Sequence, residues 1–118
     1  MATRRLLGVA GWLTVTVGVL HLGVALVQYD TLSLDALWFA GSGLAVVLIG
    51  MFTLLARPPL ASAGVRWAAA GANVAGLALA MAFSALTHWR EPQGPVLVAL
   101  FLTGGLGVML PGDSPRDP

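Results

Sequence analysis

Residues 6–28 read LLGVAGWLTVTVGVLHLGVALVQ, from Leu6 to Gln28 without a single Asp, Glu, Lys or Arg. At about 1.5 Å of rise per residue, a helix of this length matches the roughly 30 Å of hydrocarbon in a bilayer. An amide without a partner in hydrocarbon costs several kcal/mol, so such a run is spent as helix, which satisfies its backbone internally. The rest of the chain repeats the pattern, with spans expected over about 36–56 and 67–87 and a shorter one over 96–110. The fold class that follows is an all-α membrane protein: four transmembrane helices in an antiparallel up-down bundle, one domain over 1–118, with a flexible tail at 112–118.

Composition excludes several function classes. Hydrophobic residues make up 58% of the chain and charged residues 9%, against about 25% charged in an average soluble domain. The six Lys and Arg residues are scattered singly or in pairs, so no nucleic-acid partner is expected; the expected partner is the lipid bilayer. Cysteine is absent, which removes disulfides, thiol catalysis and Cys-based metal sites. No phosphate loop, nucleophile elbow or paired catalytic carboxylates occur.

Punctuation between the runs sets the connections. Ser33 or Asp35 is placed to cap the second helix, and Arg57-Pro58-Pro59 stops it, which leaves Arg57 to Arg66 as a loop. A second loop is expected from His88 to Pro95. The first run follows Arg4-Arg5 but exceeds the roughly 7–15 apolar residues of a signal peptide, so it reads as a retained anchor. Arg4, Arg5, Arg57, Arg66 and Arg116 fall on one side of the membrane and Arg90 on the other. The positive-inside rule then places both termini in the cytoplasm of a multi-pass cell-membrane protein.

Helical spacing sorts the polar and small residues onto faces expected to form the bundle interior. These are Thr14, Gly18, His21, Ala25 and Gln28 on the first helix, and Asp35, Trp38, Ser42, Ile49 and Thr53 on the second. The third contributes Asn73, Gly76, Ala80, Ser84 and Thr87, and the fourth Ala99, Thr103 and Gly107. Ala68, Ala72, Gly76 and Ala80 offer a small-residue surface for a homodimer or another membrane protein.

His21 is the most costly polar residue within these runs. It lies seven residues before Gln28 and Ser42 lies seven after Asp35, so both sit roughly 10 Å below the same boundary. A neutral imidazole needs one donor and one acceptor, which Ser42 and Ser84 are placed to supply. Asp35, Trp38 and His88 stand nearer the helix ends. Together His21, Asp35, Trp38, Ser42, Ser84 and His88 define a candidate ligand or proton site opening to the extracytoplasmic side. The tight His spacing typical of metal sites is missing, so no metal site is assigned. His21 and His88 lie at different depths, which argues against haem, and the residues identify no cofactor.

In length and number of spans the chain resembles the small multidrug resistance transporters. Those depend on a Glu in the first helix, whereas this first helix has no acidic residue and offers His21 instead, so no residue role carries over. Two functions follow from the residues: a non-enzymatic membrane partner or small transporter-like protein, or a ligand-binding or enzymatic pocket centred on His21.

Overall fold

Ser33 and Ser62 set where the middle helices start. Ser33 Oγ accepts from Ala36 N at 3.1 Å and Ser62 Oγ from Val65 N at 3.3 Å, each satisfying one of the orphan amides of a helix N-terminus. In the computed structural model, which describes residues 2–59 and 61–110, the elements are α1 (Ala2–Gln28), α2 (Leu34–Leu55), α3 (Ala63–Leu86) and α4 (Gln93–Met109). The described residues contain no strand. The tail expected at 112–118 lies outside them.

α1, α2 and α3 are long and apolar enough to cross a membrane. α4 is a shorter apolar helix of 17 residues, at the lower limit of about 17 for a span.

The helices start earlier than the sequence reading places them. Ser62 initiates α3 at Ala63, so Arg66 belongs to the first turn of the helix and not to the preceding loop. Arg4 and Arg5 lie within α1. α4 takes in Pro95 in its first turn, where a missing amide removes no intrahelical bond. The hydrophobic runs mark where the helices are apolar; the polar turns at their ends are helical as well.

Packing inverts the usual distribution of side chains. Beside Leu7, Val46, Phe101 and Val108, the interior holds small or polar residues: Gly11, Thr14 and Gly18 of α1, Gly43, Gly50 and Thr53 of α2, Asn73, Gly76 and Ser84 of α3, and Gly94, Gly104 and Gly107 of α4. Large apolar side chains cover the outside, among them Trp12, Leu20, Leu26, Leu37, Leu48, Leu79 and Leu106. In water that arrangement forfeits most of the available hydrophobic stabilisation. In hydrocarbon it loses nothing, because helices there associate through close backbone approach and not through burial of bulk.

Two glycine pairs bring α1 and α2 together. A Cβ on Gly18 would lie 2.7 Å from Val47 N and 2.9 Å from Gly43 O, and one on Gly50 would lie 2.7 Å from Val15 N and 2.9 Å from Gly11 O. Only hydrogen fits at these positions. α3 and α4 meet in a similar way, with Asn73 against Gly104, Ser84 against Gly94 and Phe101 against Gly76. Leu7 lies on Gly107 and joins α1 to α4, while Asn73 Nδ2 donates to Thr53 Oγ1 at 2.8 Å and joins α3 to α2.

The expected faces of α1 and α3 coincide largely with the buried residues; those of α2 and α4 do so only in part, at Thr53 and Gly107. On α2, Asp35, Trp38 and Ser42 are exposed, and the buried set is Ala36, Gly43, Val46, Gly50 and Thr53. On α4, Ala99 is exposed and Thr103 half-buried, and the buried set is Gly94, Phe101, Gly104, Gly107 and Val108. Glycine, not polarity, selects the contact. The surface proposed for association also changes, because Gly76 and Ala80 are buried within the bundle.

Candidate functional site

The imidazole of His21 lies flat on the ring of Phe39, with centroids 4.0 Å apart and planes 16° from parallel. Gly43 allows this approach, since a Cβ there would sit 3.0 Å from His21 Cδ2. Nε2 is 3.0 Å from Ser42 Oγ, and Ser42 Oγ donates to the carbonyl of Phe39 at 2.7 Å. A hydroxyl has one hydrogen, and here the Phe39 carbonyl receives it. With the hydroxyl hydrogen on that carbonyl, the Nε2-protonated tautomer of His21 is the one that donates to Ser42 Oγ. Tyr29 closes the cluster, its ring 5.7 Å from that of Phe39 and tilted by 54°.

The helix ends position these groups. α1 runs on to Gln28, Tyr29 N donates to Ala25 O at 3.3 Å, and the tyrosine ring is thereby held at the end of the α1–α2 seam. On α2, Phe39 precedes Ser42 by three residues, so both occupy one side of the helix beside Gly43.

The remaining candidates are distributed elsewhere. Asp35 is exposed in the first turn of α2 and Trp38 is 73% exposed one turn on. Ser84 is fully buried in the α3–α4 seam, where it donates to Ala80 O at 2.7 Å. His88 is exposed in the turn after α3 with φ of 52°, followed by Trp89 at 59°. Both lie in the left-handed region, which is unusual for a residue as bulky as Trp. The turn places Trp89 N where it donates to Ser84 O at 2.8 Å and closes the helix.

Thus the structure joins His21 with Ser42 and adds Phe39 and Tyr29, which the search for polar residues passed over. Among the described residues no group of three or more His, Asp or Glu side chains converges. The cluster offers one half-buried imidazole, bonded to a hydroxyl and lying against an aromatic wall.

A second feature lies at the opposite ends of the helices. Ala63, Arg66, Trp67, Ala70, Val108 and Met109 line an open groove of about 460 Å³. Arg66 Nη2 donates to Val108 O at 2.6 Å and to Leu110 O at 2.7 Å, closing the C-terminus of α4. The adjacent pair Arg66-Trp67 is the available sequence signal, but the sequence alone places it at the junction of a loop and the third span.

Fold and site together define a small helical bundle with a glycine-lined interior and an apolar exterior. No protein-family model, no curated protein and no solved structure matches the chain.

Proposed function

We propose that this chain is a multi-pass protein of the cell membrane, with four spans in antiparallel up-down order and both termini cytoplasmic. Its role is non-enzymatic: it is a partner for other membrane helices, in the first instance a second copy of itself. The sense of the bundle is supported by the pairing of Gly11 with Gly50 and of Gly18 with Gly43. Charge supports its orientation. Among the described residues, Arg4, Arg5, Arg57 and Arg66 belong to one set of helix ends, while Arg90 is the one cation at the other.

The observation that carries the partner reading is the outer face of α3. Ala68, Gly71, Ala75, Ala78, Ala82 and Ala85 are all exposed, spaced alternately three and four residues apart and turned away from the buried Ala69, Asn73, Gly76, Ala80 and Ser84. Nothing lies within 4 Å of a Cβ placed on Gly71. A seam repeating every seven residues suits a second helix at a shallow crossing angle, and small residues let the backbones meet. Transport is less well supported, because the helices meet through glycines and the buried hydroxyls of Thr14 and Ser84 bond to carbonyls of their own helices.

The absence of cysteine makes the test direct. Ala75→Cys or Ala78→Cys, oxidised in native membranes, should give a disulfide-linked dimer, whereas Leu20→Cys on the exposed side of α1 should not. Equal crosslinking at all three positions would count against the reading.

A further inference from the structure

Resting on the bilayer-spanning reading above, we infer that the groove between the start of α3 and the end of α4 is a binding site for an anionic phospholipid. In it the phosphate meets Arg66 and an acyl chain lies along Trp67, Val108 and Met109. The groove holds about 460 Å³ and its lining is apolar apart from Arg66. Both Nη2 hydrogens of Arg66 are committed to Val108 O and Leu110 O, which fixes the guanidinium at the rim. Among the described residues that leaves the hydrogens on Nη1 and Nε for phosphate oxygens.

The local charge has one sign. Among the described residues, the charged groups on these helix ends are Arg4, Arg5, Arg57 and Arg66, and the first turn of α3 has no acidic residue. Ser62 Oγ takes up the amide of Val65 and Ser62 O that of Arg66. Among the described residues nothing takes up the amides of Ala63 and Gly64, which lie at the positive end of the helix dipole next to the groove. Trp67, 73% exposed, supplies an amphipathic ring suited to headgroup depth. A zwitterionic lipid adds a cation to a region already rich in cations; an anionic one adds only the complementary charge.

Native mass spectrometry of the full chain released from nanodiscs with equal amounts of phosphatidylglycerol and phosphatidylcholine tests this. Retained phosphatidylglycerol should exceed phosphatidylcholine about fivefold, the scale of one arginine contact with an anionic lipid. Arg66→Gln should abolish the preference. Ala63→Trp, which fills the groove from its exposed edge and leaves Arg66 in place, should abolish it too. Arg57→Gln should keep it, because Arg57 Nε is bonded to Leu54 O at 2.9 Å away from the groove lining. Equal retention of both lipids by a helical, membrane-integrated wild type would overturn the lipid site and leave the four-span reading standing. A preference that survives both Arg66→Gln and Ala63→Trp would overturn it as well. So would one that emerges only when Asp113 and Asp117 are replaced by Asn, since the occupant would then be the chain's own tail.

Discussion

Asn73 donates from Nδ2 to Thr53 Oγ1 at 2.8 Å, a bond between two fully buried side chains that ties α3 to α2. The second hydrogen of the same amide goes to Ala69 O at 2.9 Å, and Thr53 passes its own hydrogen to Ile49 O at 2.9 Å. Each partner therefore keeps a bond if the other is removed. A double-mutant cycle with Asn73→Ala and Thr53→Val should give a coupling of about 0.6 kcal/mol, and at most about 1.7. Unfolding in bicelles measures it; a coupling of zero would mean that the α2–α3 contact rests on packing alone.

The glycines sort into two groups with opposite expected effects. Gly18→Ala and Gly50→Ala each set a methyl 2.7 Å from a backbone nitrogen of the facing helix, an overpacking that costs about 1–3 kcal/mol. Gly11→Ala should cost less, because the nearest atoms belong to the flexible side chain of Leu54. Gly23→Ala and Gly41→Ala meet nothing within 4 Å and should stabilise their helices by about 0.5–1 kcal/mol. Thermal unfolding in one detergent ranks all five, and a uniform effect across the set would contradict the seam.

His21 is expected to act as a fastener between α1 and α2. His21→Ala removes both the stack on Phe39 and the bond to Ser42, with an expected loss of about 1–2 kcal/mol from the two contacts. His21→Phe keeps the stack and should recover more than half of that loss. If instead His21→Ala stabilises the protein, or removes a copurifying small molecule seen by mass spectrometry, the residue serves a ligand and not the helix pair.

Much of this architecture is legible in the sequence because hydrocarbon leaves the backbone few choices. The apolar runs, the Pro58-Pro59 stop and a cap at Ser33 or Asp35 locate the helices to within about four residues. Counting residues from the helix ends also pairs His21 with Ser42, since equal depth on adjacent helices is a matter of rise alone. The rotation of α2 was not legible by the same route. Polarity points Ser42 inward, but its hydroxyl donates to the Phe39 carbonyl of its own helix, and a hydroxyl satisfied in that way exerts little demand on rotation. The glycines decide instead, through shape. Phe39 escaped notice for a related reason: an aromatic residue in an apolar run carries no directional demand until a partner such as His21 faces it.

The central claim is that these helices thread a bilayer four times with the arginine-rich ends on one side. Single cysteines at Ala2, Thr31, Ala61 and Glu91, probed on intact cells with a membrane-impermeant maleimide, test it most directly. Thr31→Cys and Glu91→Cys should label from outside, and Ala2→Cys and Ala61→Cys only after the membrane is permeabilised. Labelling of Ala61→Cys alongside Thr31→Cys on intact cells would contradict it.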